Sequence, residues 1–404
     1  MSDMIRRVGD TERRYVMEVL DTEFRSSKGS LMMKRLEDAF AERFGVKYAI
    51  SHVNGTATLH SAIAAAGVGV GDEVIVPPLT MSATSFAVLH NNAIPVFADV
   101  DPDTFNISPQ SIRNCITPRT KAIIPVSLYG LPCDIDEILK IAQEYNLVVI
   151  EDDAQCFLGK INGRIIGSAP HMASFSFQSS KHMTSGEGGM IVTNDLELAT
   201  KVRRFSSLGY AGVGAAKGKI TKADIQDPNY DRHCSLGWNY RMPEICSAVA
   251  LAQLEHLEEL VQRRIDSAQL FASVMENFSW LTPQRIPAGF ESSYWTLAVK
   301  LENPEISWHR FRDKFKENGG HGVYAAWKLT YFEPMFQNMQ LSGREDFLGQ
   351  PFNKGKLQTY SNGLCPIAEY LQPRILQFKT NYWNWDEAEQ QAEILKRTIR
   401  ELDK

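Results

Sequence analysis

SFSFQSSKHMTSGEGGMIVT, residues Ser174–Thr193, is the stretch from which the fold is read. Alternation and β-branched residues predict one strand over Ser174–Phe177 and another over Met190–Thr193, with Gly186, Gly188 and Gly189 supplying the turn. One lysine, Lys181, stands on the polar loop between them. An amine held between two rigid elements is fixed yet reachable, which is what covalent catalysis by lysine requires. A solvated surface lysine is the plain alternative. What weighs against that alternative lies elsewhere in the chain.

Upstream, KYAISHVNGTATLHSAIAAAGV predicts a strand at Tyr48–His52, a turn at Asn54-Gly55 and an alanine-rich helix over Thr56–Ala66. A strand running through Gly and Thr into a helix leaves free N–H groups at the helix start, which favours an anion such as phosphate. GVGVGDEVIVP (Gly67–Pro77) carries glycines in the wrong order for a dinucleotide site, because they follow a helix and precede a strand. Glu73–Val76, Ile94–Ala98, Ala122–Val126 and Leu147–Ile150 read as short buried strands separated by helical patterns such as Ser82–His90 and Ile135–Tyr145. That alternation implies an α/β fold with a parallel sheet, and ligands gathered at the carboxyl ends of its strands. The last of these strands runs into Glu151-Asp152-Asp153-Ala154-Gln155. The acids point in alternating directions and have no partner at metal-ligand spacing, so no metal is expected.

The chain has 404 residues, 44% hydrophobic and 23% charged, with a net charge of −5. That length suggests two domains, and the charge gives no hint of nucleic acid or an anionic membrane. The six cysteines form no zinc pattern and read as thiols of a reducing compartment. The charged N-terminus lacks an apolar leader, and no apolar run approaches a membrane span. A cytoplasmic location is expected. Thr11–Glu23 and Leu31–Phe44 read as helices before the first strand. Gly209–Asp231 reads as a glycine-rich loop, followed by CSLGWNYRMP and one long amphipathic helix over Glu244–Arg264. Residues 1–265 then form a large domain, and 266–404 a smaller α+β domain with strand-like Tyr294–Leu301, aromatic Tyr324–Phe336 and a closing helix Asp386–Leu402.

A loop lysine, a strand-end acid and a glycine–threonine helix start are what pyridoxal 5′-phosphate needs: an amine for its Schiff base, an acid at its pyridinium nitrogen, and a phosphate cup. On VNGTATLH, EVIVPPLTMSAT, SLYG with CDID, VIEDDAQ, SFSFQSSKHMTSGEGGMIVTND and GWNYRMPEICSAVALAQLEHL, the chain resembles the DegT/DnrJ/EryC1/StrS sugar aminotransferases, which share the aspartate aminotransferase fold (fold type I). The resemblance runs from about Gly29 to Leu402.

The resemblance implies that Lys181 is the Schiff-base lysine and proton shuttle, and that Asp152 pairs with the pyridinium nitrogen. It sets Gln155 near the ring's 3-hydroxyl, and Ser176 on the phosphate with the backbone of Gly55 and Thr56. It also implies that Asn239 reaches the cofactor phosphate of a neighbouring subunit, and so a homodimer with shared sites. Met81 stands where the family often has an aromatic residue over the ring, and a thioether can cover the ring instead. His182 follows the lysine; in the family's dehydratase branch a histidine replaces it, so the retained lysine favours transamination.

The activity so implied moves an amino group from L-glutamate or L-glutamine, through the pyridoxamine form of the cofactor, to a keto- or aldehyde-sugar. The product would be an amino sugar for a surface polysaccharide or natural product. A dehydratase of the same fold and a non-catalytic cofactor-binding regulator are the alternatives. His182, Arg241, Tyr324 and Trp327 are candidate substrate contacts, as are Lys217, Lys219 and Lys222 on the glycine-rich loop.

Overall fold

The structure, a computed structural model, describes residues 4–24, 29–338 and 360–403. Its strands in chain order are β1 (Tyr48–His52), β2 (Glu73–Val76), β3 (Ile94–Phe97), β4 (Thr120–Ile123), β5 (Val148–Asp152), β6 (Lys160–Ile161), β7 (Arg164–Ile165), β8 (Met172–Ser176), β9 (Gly189–Thr193), β10 (Leu281–Pro283), β11 (Phe290–Glu291), β12 (Thr296–Leu301), β13 (Val323–Ala325) and β14 (Ile375–Lys379). Seven form the central sheet in the order β1-β9-β8-β5-β4-β2-β3. Pairs from β3 across to β8 are parallel. β9 pairs antiparallel with both β8 and β1, so it alone of the seven runs against the rest. The hairpin expected around Lys181 is therefore β8–β9, one strand in from the β1 edge of a mostly parallel sheet.

Alternation along the edge strands separates two cores. Ile50 and Ile191 face one side with Leu59, Ile63 and Val88. Their neighbours Ala49, Met190 and Val192 face the other, with Leu36, Phe40, Phe44 and Leu251. Each fully buried Leu, Ile or Phe contributes about 1.5–3 kcal/mol, which fixes the strand register, because a slip of one residue would turn each of these side chains to the wrong face.

The expected long helix at Glu244–Arg264 is two helices, Glu244–Glu255 and Leu257–Met275. His256, at φ −124° and ψ 25°, leaves helical geometry between them. Its ring lies 3.3 Å from the Gln253 amide and 3.5 Å from Glu12, the latter a contact that no helical periodicity carries. The second helix runs through residue 265 and joins β10, β12, β13 and β14 in a third core around Phe271, Phe311 and Phe378. Not all of the chain after 266 stays there. Ala326, Leu329, Tyr331, Tyr360 and Leu371 pack into the first core. The Tyr360 hydroxyl donates to the Pro95 carbonyl at 3.1 Å, and Asp99 accepts from the N–H groups of Ile367 and Ala368 at 2.9 Å. Among the described residues no helix is long and apolar enough to cross a membrane.

Candidate active site

Parallel strands of one sheet end together, and five segments that follow such ends meet in a cavity of about 520 Å³. The β1 end gives Asn54, Gly55 and Thr56; the β2 end gives Thr80 and Met81. β5 gives Asp152 and Gln155, β8 gives Ser176, and the β8–β9 loop gives Lys181. Trp295 and Trp327 close the cavity from the C-terminal part of the chain.

The anion-binding corner is built by the helix Gly55–Ala65. Asn54 caps it, its side-chain oxygen accepting from the Ala57 N–H at 2.8 Å. The N–H groups of Gly55 and Thr56 are left at the cavity wall with no partner among the described residues. Ser176 comes so near that a Cβ built on Gly55 would stand 2.9 Å from the Ser176 Cβ and 3.2 Å from its hydroxyl oxygen. Residue 55 must lack a side chain for hydroxyl and helix start to share one corner. A hydrogen bond of 2.6 Å between Thr58 and Ser174 ties this helix to β8.

Asp152 is buried at 4% exposure. It accepts from the Thr84 hydroxyl at 2.9 Å and from the Ala154 N–H at 3.2 Å. Burial raises its pKa against these two neutral donors and the charge of Lys181. A carboxylate so placed calls for a cation. Gln155 gives its side-chain oxygen to the Tyr129 N–H at 3.0 Å, which leaves the NH₂ end to donate. Glu151 and Asp153 point to the opposite side, as expected from their alternation, and are fully buried. Burial lifts both carboxyls, Glu151 to about 7, and neither Asp153 oxygen has a hydrogen-bond partner among the described residues.

Lys181 is 9% exposed. Burial pulls its ammonium down to about 8, with Asp152 opposing the shift and Arg264 adding to it. The amine lies 4.7 Å from the centre of the Trp295 ring. The Trp295 indole N–H donates to the Ser180 carbonyl at 2.9 Å, so ring and loop move as one piece. Trp295 sits here because Tyr294, at φ 47°, and Gly130, at φ 104°, press together; a Cβ on Gly130 would come within 2.4 Å of the Tyr294 nitrogen. Left-handed backbone at a tyrosine costs about 1–2 kcal/mol. Sequence reasoning missed Trp295 because it took Tyr294 onward as plain strand; the signal was an aromatic pair just ahead of β12.

Gly55, Thr56, Met81, Asp152, Gln155, Ser176, Lys181 and Trp327 thus share one cavity. The other candidates do not line it. His182 is wholly buried, its Nε2 2.9 Å from the Ser293 carbonyl and its ring 5.6 Å from Phe157. Burial drives its pKa far down, so it is a neutral core residue and not a substrate contact. Adjacent residues on the turn diverge, and the lysine takes the cavity side. Asn239 is exposed, and Arg241 also stands outside this cavity. Their segment is held along the chain by the Trp238 N–H to Phe205 carbonyl bond at 2.6 Å and the Tyr240 N–H to Ser206 carbonyl bond at 2.9 Å. Tyr324, 60% exposed, lines an adjoining cavity of about 540 Å³ that shares Ser180, Trp295 and Trp327 with the first. Lys217 faces Asp224 at 3.9 Å and Lys219 faces Glu244 at 3.4 Å; the Lys222 side chain lies outside the described residues.

The donor set fits pyridoxal 5′-phosphate: a corner that accepts a phosphate only because residue 55 has no Cβ, a buried carboxylate short of a cation, and a buried amine.

Comparison with known proteins agrees with that fit. The model of the DegT/DnrJ/EryC1/StrS aminotransferase family matches residues 6–347. The chain is 44% identical over 271 residues to the GDP-perosamine synthase of Caulobacter vibrioides, covering 65% of this chain and 68% of that one. It is 41% identical over 260 residues to the GDP-perosamine synthase of Escherichia coli O157:H7, covering 64% and 67%. Among solved structures, an aminotransferase from Psychrobacter cryohalolentis superposes with a TM-score of 0.84 at 30% identity, covering 98% of both chains.

Proposed function

The chain belongs to the DegT/DnrJ/EryC1/StrS aminotransferase family and is a pyridoxal-phosphate-dependent transaminase of amino-sugar biosynthesis; on that premise we propose that it moves the amino group of L-glutamate to the keto carbon of a GDP-linked sugar. The products are 2-oxoglutarate and a GDP-linked amino sugar. The observation that carries this reading is the likeness to two GDP-perosamine synthases at 44% and 41% identity, joined to a cavity that keeps a buried lysine. The lysine at 181 supports transamination over the dehydratase alternative.

When bound, the cofactor supplies an electron sink for the carbanion left when a substrate carbon loses its proton. The protein does the rest. Gly55, Thr56 and Ser176 hold the phosphate. Asp152 keeps the ring nitrogen protonated, because its buried charge is stabilised by that cation. Gln155 would donate to the cofactor's 3-hydroxyl oxygen, and Met81 would cover its ring. Lys181 would hold the cofactor, and its free amine would take the proton from the donor carbon and later deliver one to the sugar carbon. Trp295 and Trp327 exclude water over the amine. Asn239, outside the cavity of its own chain, would serve the site of a second copy in a homodimer.

Running the reaction backwards tests the reading. Holoenzyme given GDP-perosamine and 2-oxoglutarate should form glutamate and a keto-sugar nucleotide in equal amounts. No glutamate from GDP-perosamine, with glutamate formed from a UDP-linked amino sugar instead, would overturn the choice of acceptor.

A further inference from the structure

The backbone carbonyl of Lys181 is held by two guanidiniums. Arg7 donates to it at 2.7 Å and Arg264 at 3.1 Å. Arg264 also donates to the carbonyls of Ser180 at 2.9 Å and Trp295 at 2.8 Å, and to the Thr380 hydroxyl at 3.4 Å. We propose that Arg264, with Arg7 behind it, is a positioning group for Lys181: the pair clamps the lysine's main chain and, as fixed positive charge, biases the amine toward its uncharged, proton-accepting form.

Arg264 is 1% exposed, and among the described residues it pairs with no carboxylate. A buried guanidinium usually has an anionic partner, because desolvation costs several kcal/mol. Carbonyls and a hydroxyl accept from its two terminal nitrogens, its Nε finds no partner among the described residues, and its charge is left uncancelled. That charge remains at neutral pH, since burial lowers Arg264 only to about 9. Its partners come from both sides of the gap in which the amine stands. Ser180 and Lys181 belong to the lysine loop, and Trp295 carries the ring 4.7 Å from the amine. One side chain thus sets both the height of the amine and the wall above it.

Arg7 brings the N-terminal segment into the same device. Its own carbonyl accepts from the Gln253 amide, and the Ile5 N–H donates to the Trp383 carbonyl at 2.8 Å. The two guanidiniums lie 5.5 Å and 5.9 Å from the Trp383 ring centre.

Other charges face the amine. Asp152 on β5 and Glu187 in the hairpin turn favour the ammonium, and Arg264 on the helix Leu257–Met275 opposes it; Arg7 on the N-terminal segment brings its charge to the Lys181 carbonyl. His182 beside it is buried and neutral. Without the arginines the balance passes to the two acids.

This role rests on Lys181 being the reacting amine, but its test reads the amine itself and needs no turnover. In the full chain freed of cofactor, trace labelling with an amine-reactive anhydride across pH, followed by peptide mass spectrometry, gives the titration of Lys181. The wild type should half-titrate near 8. Arg264→Gln should raise the midpoint by roughly one pH unit, the size expected of one charge at an effective dielectric constant near 20. Arg7→Gln, which keeps a donor but no charge, should raise it less, and Arg7→Lys should restore it. Midpoints unchanged in both glutamine variants, or shifted equally in Arg7→Gln and Arg7→Lys, would overturn the electrostatic role. If Arg264→Gln does not fold, the half-buried Arg7 pair decides alone.

Discussion

Gly55 and Ser176 approach so closely that a β-carbon on residue 55 would stand 2.9 Å from that of the serine. Helix start and hydroxyl can then address one phosphate together. Gly55→Ala forces them apart at a cost of about 1–3 kcal/mol, typical of overpacking. The cofactor should bind about tenfold or more weakly, measured by titrating the cofactor-free protein and following the visible band. The fold itself should keep its thermal midpoint without cofactor to within a few degrees.

Asp152 should reveal itself through opposite effects on activity and stability. Asp152→Asn removes the charge that keeps the ring nitrogen protonated, and turnover should fall by about two orders of magnitude, the size lost with one preorganised electrostatic partner. Because burial raises the Asp152 pKa, its ionised form destabilises the cofactor-free fold above that pKa. The asparagine variant without cofactor should therefore melt no lower than wild type at neutral pH, by calorimetry.

Glu151 and Asp153 predict a pH dependence. A carboxyl whose folded pKa is raised binds more protons folded than unfolded, so stability falls as pH rises from the unfolded pKa toward the folded one. For Glu151 that window runs from 4.5 to about 7, and Asp153 extends it upward. Denaturant midpoints should decline from about pH 5 to 8. Asp153→Asn should flatten the decline, because Glu151 then no longer faces a second buried carboxylate.

Asn239 and Lys181 should complement each other across subunits. If Asn239 serves the partner's phosphate, hybrids of a Lys181→Ala chain with an Asn239→Ala chain contain one site with both native residues. Mixing two weak homodimers after mild dissociation should restore up to about half of the wild-type rate per hybrid. No gain on mixing would place Asn239 outside the site.

Most of the cavity could be read from local pattern. Lys181, Asp152 and the Gly55 helix start each sit where a strand ends, and strand ends in a parallel sheet converge. The residues that escaped reading are those placed by long-range contacts. His182 follows the lysine by one residue, yet the turn sends it into the core against Phe157. Trp295 reaches Ser180 of the lysine loop across 115 residues of sequence and Arg264 reaches Lys181 across 83, and no periodicity carries such pairings. The break at His256 escaped too, and its contact with Glu12 is likewise distant in sequence.

The most direct test of the account is to trap the covalent bond. Borohydride added to the holoenzyme should fix the cofactor irreversibly, and peptide mass spectrometry should find it on the peptide containing Lys181, with none in Lys181→Ala. Cofactor fixed on another lysine, or a native enzyme that traps none while still turning over, would contradict the central claim.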